Sequence, residues 1–177
     1  MIISIICGVI TLIAIVILII KVKSDKLNFY NNKIIKVEEQ LETAFENKLS
    51  LLSELQSSIS SHDNDVEFNL LCDIEEIKDD DFMLNSILNK AFKEINSFFN
   101  DHRAYIPSEE ENKLLYQLQQ VNTECKALKD YYNQNAIILN KLTDNFPNNT
   151  IATFKKIQKK ELYNDPIEVE FEILKKK

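Results

Sequence analysis

The chain has 177 residues, with 28 acidic against 21 basic side chains and a net charge of −7. That balance suits a soluble surface and excludes general binding to nucleic-acid phosphates, which takes clustered cations. The single glycine is Gly8, so everything after it lacks the backbone geometry of Walker loops, dinucleotide-binding turns and nucleophile elbows.

Residues 1–20, MIISIICGVITLIAIVILII, carry no charge. About twenty helical residues span the roughly 30 Å hydrocarbon core of a bilayer. The stretch reads as a transmembrane anchor over 1–22. A cleaved secretory signal has a basic start, a shorter apolar run and a small-residue cleavage site, and none is present here. Cys7 reads as a small apolar residue of that helix rather than a lipid-modified cysteine. Lys21, Lys23 and Lys26 follow the span and no cation precedes it, so the N-terminus is expected outside and the remainder in the cytoplasm.

The rest, 23–163, reads as one helical bundle domain, with 164–177 as a tail. It has no Gly and is rich in helix formers. With Gly absent, Asn is expected at any left-handed helix end. Leu27, Tyr30, Ile34, Val37, Leu41, Ala44, Leu52, Leu55 and Ile59 fall on one helical stripe. The polar stretch Ser60–Asp65 suggests a loop, yet the stripe resumes in phase through Val66, Leu70, Ile74 and Ile77. One helix over 27–77 is favoured over two.

Asp79–Asp81 mark an acidic helix start. A second helix is expected over 82–104, with Leu84, Ile87, Leu88, Ala91, Ile95, Phe98 and His102 on one face. Ser108 and Glu111 form a capping box that opens a third helix over 109–146. Its stripe is Leu114, Leu118, Val121, Cys125, Leu128, Tyr132, Ala136, Leu139, Leu142 and Phe146, close to a heptad seam. After Pro147 a short helix is expected, capped by Asn149. It would turn Ile151, Phe154 and Ile157 inward and Lys155, Lys156, Lys159 and Lys160 outward. After Pro166 the run IEVEFEI alternates like a short strand or extended tail. The fold class is therefore all-α: an N-terminal transmembrane helix followed by an antiparallel bundle of three to four long helices.

Tyr132-Asn133, Asn140, Phe146-Pro147, Asn149 and Ala152 form an ordered pattern on the third helix and beyond. It resembles the YN-x5-YN-x5-FP-x-N-x2-A pattern of the bacterial LemA family. Tyr30-Asn31, Tyr105 with Pro107, and the ending from Pro166 to Phe171 are similar to other family segments. Leu139 replaces the second Tyr. Lys48 and Ser50–Leu55 stand in place of an R-x-D-L-I-P-N-L segment, and Lys129 stands where Arg is usual. The missing Pro, at Ser53, favours an unbroken first helix. The resemblance implies a single-pass inner-membrane protein with a cytoplasmic helical bundle and no established enzymatic activity. Its implied roles are envelope maintenance or membrane organisation.

Candidate chemistry is sparse. His62 and His102 are the only histidines, and no zinc spacing accompanies them. His102 suits a helix C-terminus. Cys125 sits on the seam as an inert buried thiol, Cys72 lies at the edge of its stripe, and three scattered Cys make no disulfide framework. Asp79–Asp81 lack a calcium-loop pattern. Asn148-Asn149-Thr150 matches a glycan acceptor by chance if the domain is cytoplasmic. Tyr132, Asn133, Asn140, Phe146 and Pro147 are the candidate structural or partner-binding motif. No catalytic, cofactor or metal site is expected. The expected function is a membrane-tethered interaction or scaffold protein, anchored in the bilayer through 1–22 and binding an unknown protein or a second copy of itself. A membrane-anchored hydrolase and a self-associating stalk are the alternatives. If the first helix is continuous, three passes carry Phe146-Pro147 and the lysines after it away from the bilayer. If it breaks, a fourth pass returns them to it.

Overall fold

The computed structural model describes residues 2–62, 80–102 and 104–164. Four helices appear among them: α1 (Ile2–His62), α2 (Asp81–Asp101), α3 (Glu109–Thr143) and α4 (Asn148–Phe154). The protein is all-α, with no strand among the described residues. The stretch read as an anchor and the stripe after it are one uninterrupted helix. Whether the helix extends to 77 lies outside the described residues, as do Cys72, Asp79 and the IEVEFEI tail.

The chain divides into two compact units, 1–38 with 130–162, and 39–129 with 163–177. In the first unit, Ile3 to Ile20 are all exposed, and α1 is there long and apolar enough to cross a membrane. Past that stretch Leu27, Ile34 and Val37 of α1 are buried, as are Tyr132, Ala136 and Leu139 of α3 and Ile151 and Ala152 of α4. Lys33 of α1 reaches the rings of Phe29 and Tyr131, at 4.5 and 5.8 Å.

In the second unit the expected stripes are buried: Leu41, Leu52, Leu55 and Ile59 on α1, Leu88, Ala91 and Ile95 on α2, Leu114, Leu118, Val121 and Cys125 on α3. Each such leucine contributes about 1.5–3 kcal/mol on leaving water. The helix ends follow their chemistry. Asp80 caps α2, its carboxylate accepting from the Phe82 and Met83 amides at 3.0 and 3.1 Å. His102 closes α2, its amide donating to the Phe98 carbonyl at 2.9 Å and its ring stacked on Phe98. The capping box forms at α3, with Ser108 N donating to Glu111 Oε2 at 2.7 Å and Glu111 N to Ser108 Oγ at 3.1 Å.

Side-chain pairs fix direction in this unit. Ser58 meets Glu111 and Lys48 meets Asn122, so α3 runs antiparallel to α1. Asn85 meets Lys129 while Tyr105, just past α2, meets Glu111, so α3 is antiparallel to α2 as well. Hence α2 keeps the direction of α1. A count of alternating passes would have α2 going back and α3 going away; in the structure α3 is instead the helix that returns along α1.

Three local expectations also change. Phe146 and Phe154, both read as inward, are 83% and 85% exposed. α3 ends at Thr143, so Phe146 is off its stripe. α4 begins after Pro147 with no side-chain cap from Asn149. Among the described residues the left-handed helix end is a lysine rather than an Asn: Lys156, at φ 56°, follows the C-cap of α4. Its amide donates to the Thr153 carbonyl and that of Ile157 to Ala152, the paired bonds of a Schellman end.

Candidate functional site

Two polar clusters lie inside the second unit. The first is centred on Lys48, only 1% exposed. Its ammonium donates to Asn89 Oδ1 of α2 at 2.9 Å and Asn122 Oδ1 of α3 at 2.7 Å, and sits 5.3 Å from the Phe92 ring centre. Lys129, also buried, donates to Asn85 Oδ1 at 2.9 Å, and Asn89 donates to the same oxygen. Asn85, Asn89 and Phe92 share one face of α2, and Asn122, Cys125 and Lys129 share one face of α3. Three helices are thereby joined by charge-assisted hydrogen bonds rather than by apolar contact alone. Burial pushes the Cys125 thiol up, and the two lysine charges only partly offset it. The thiol therefore stays protonated near neutrality and is a poor nucleophile.

The second cluster surrounds Glu111, also 1% exposed. Oε1 accepts from the Tyr105 hydroxyl at 2.7 Å and the Ser58 hydroxyl at 3.1 Å, while Oε2 takes the Ser108 amide. Burial alone would raise this carboxyl. The hydrogen bonds from Tyr105, Ser108 and Ser58 outweigh it and hold the pKa below the usual value. The cluster locks the α2–α3 connection to α1.

The five motif residues all fall in the first unit and take different roles. Tyr132 is buried and Asn133 half-buried on α3. Asn140 clamps the backbone beyond α4: its Nδ2 donates to the Lys160 carbonyl and its Oδ1 accepts the Lys160 amide, both at 2.8 Å. Phe146 points to solvent, and Pro147, joined to it by a cis peptide bond, is the N-cap of α4. The motif is therefore a packing device at its α3 end and a surface feature at Phe146.

His102 serves as a helix cap, with Nδ1 3.1 Å from the Phe98 carbonyl. His62 is the last residue of α1. Among the described residues no three His, Cys, Asp or Glu gather to hold a metal. Asn148 is 95% buried, which leaves no room for a glycan. Shallow grooves occur among the described residues of the second unit. One is lined by Ser53, Glu54, Ser57, Ser58, Glu110 and Leu114, another by residues around Thr43 and Glu124. Neither combines a nucleophile with a histidine base.

Lys48 and Lys129 carry a signal in the sequence after all. Position 48 is the step of four missing between Ala44 and Leu52, and 129 lies four after Cys125. Both lysines thus hold in-phase stripe positions, and both are buried. No protein-family model, curated protein or solved structure matches the chain.

Proposed function

We propose that the chain is a single-pass membrane protein whose helical domain binds other proteins and catalyses nothing itself, on the plan of the LemA family. One observation carries the reading. The exposed apolar stretch Ile3–Ile20 continues without a break into a helix that buries one stripe, Leu27, Ile34, Val37 and Leu41, while Val22, Phe29 and Ile35 off that stripe stay exposed. Exposure of so much contiguous apolar surface suits lipid as solvent. Lys21, Lys23 and Lys26 favour a cytoplasmic domain and an outside N-terminus in the cell membrane. The two buried charged groups at the centre of the polar clusters are engaged by protein partners: Lys48 with two amides, Glu111 with hydroxyls and an amide. That favours a packed scaffold over a catalytic pocket. The resemblance extends this to envelope maintenance or membrane organisation.

Crosslinking in the native membrane followed by mass spectrometry tests it. The expected result is recurrent capture of a distinct protein through residues 27–164. Crosslinks between copies of the chain alone would point to a self-associating stalk. Turnover of an ester or peptide, lost on substitution of groove serines, would replace the scaffold reading with a hydrolase.

A further inference from the structure

The corner after α3 belongs beside the anchor. Within the first unit, Lys155 Nζ donates to Asn28 Oδ1 of α1 at 3.0 Å. Asn28 lies eight residues past Ile20, about 12 Å along the helix. Tyr131 meets Lys33, and α3 continues twelve residues to Thr143 while Lys21 lies twelve residues before Lys33. Both intervals are about 18 Å, so antiparallel α3 ends level with the start of the flanking lysines. The prolonged first helix therefore does not keep the lysine-rich segment from the membrane, contrary to the expectation from pass counting.

The surface presented there has two components. Phe146, just before α4, and Phe154, its last residue, are exposed, while Asn148, Ile151 and Ala152 are its buried residues. Lys155, Lys156 and Lys159 are exposed beside them, Lys159 in a surface pair with Asp144. Lys160 is apart, half-buried against Glu38. Residues 20–28 and 144–161 together hold seven lysines against three carboxylates, Asp25, Asp144 and Glu161, on a chain of net charge −7. Aromatic rings flanked by cations are the composition of an interfacial membrane contact. Lys156 adds to this: it holds a left-handed position at φ 56° that Gly would occupy without strain.

We propose that this corner, Phe146 to Lys159, docks on anionic phospholipid headgroups of the leaflet from which α1 emerges. Phe146 and Phe154 enter the interface, and Lys155, Lys156 and Lys159 face lipid phosphates. The docking rests on the reading of Ile3–Ile20 as a membrane span. It fixes the helical domain close against the bilayer, as a second contact beside the anchor.

The chain has no Trp, so single reporters are clean. Full-length Phe154→Trp and Leu12→Trp proteins are reconstituted in phosphatidylcholine vesicles with and without phosphatidylglycerol. Emission and quenching by brominated lipids are then read. Leu12→Trp should be quenched in both vesicles. Phe154→Trp should be blue-shifted and quenched in the anionic vesicles. Changing Lys155, Lys156 and Lys159 to Gln, or adding salt, should cut its quenching about threefold or more. A water-like, unquenched Phe154→Trp beside a quenched Leu12→Trp overturns the docking alone. An unquenched Leu12→Trp overturns the span, and the docking with it.

Discussion

Asn140 holds Lys160 by both atoms of one amide group, donating to its carbonyl and accepting its N–H at 2.8 Å each. This pairing reproduces a backbone hydrogen-bond pattern with a side chain. It ties the chain leaving α4 to α3, across twenty residues of sequence. Asn140→Ala should cost about 1–3 kcal/mol, because two part-buried backbone groups lose their partner. The Lys160 amide should also exchange with deuterium faster. Unchanged exchange at Lys160 would mean the clamp does not form.

Lys48 makes a second test. Lys48→Ala removes the stem and leaves the Asn89 and Asn122 oxygens without its ammonium, so a loss of about 3–5 kcal/mol is expected. Lys48→Met keeps most of the volume and needs no charge buried, and should recover a good part of that loss. Thermal melts of the full chain in detergent measure both. A Lys48→Ala protein as stable as the parent would contradict the buried position.

Glu111 gives a pH signature with a definite sign. Its pKa is lowered on folding, so its contribution is fully present above the unfolded value and is lost as pH falls through the folded one. Unfolding midpoints should therefore decline on acidification from about pH 4.5 downward, partly through this group. Glu111→Gln should lower stability at neutral pH by about 1.5–3 kcal/mol and flatten that acid decline. An unchanged acid slope would place the stabilising carboxylate elsewhere.

Lys156→Gly should raise stability by up to about 1 kcal/mol, since the left-handed conformation costs an L-residue about 1–2 kcal/mol and Gly adds some unfolded-state entropy. A falling midpoint would contradict the left-handed end of α4.

Periodicity and capping chemistry made much of this fold legible. Leu41, Leu52, Leu88, Leu118 and Tyr132 fall on apolar stripes and are buried, and Ser108 with Glu111 forms the cap its spacing implies. Stripe arithmetic fails where tertiary contacts decide. Phe146 and Phe154 fit helical phase, yet α3 ends before the first and α4 turns the second outward. The direction of α2 depends on pairs such as Asn85 with Lys129, which no local pattern encodes. Lys48 and Lys129 escaped notice as interior residues because charged side chains are normally assigned to the surface. Asn140 was recognisable as a motif residue, but its partner, the Lys160 backbone, has no sequence signature.

On the proposed function, α1 anchors the helical domain on the inner side of a membrane. Protease added to intact protoplasts, with and without detergent, measures this most directly, read with an antibody to the domain. Residues 27–164 should survive outside protease, be digested once detergent opens the membrane, and stay in the pellet after alkaline carbonate extraction. Digestion of the domain on intact protoplasts would contradict the orientation, and release by carbonate would contradict the anchor.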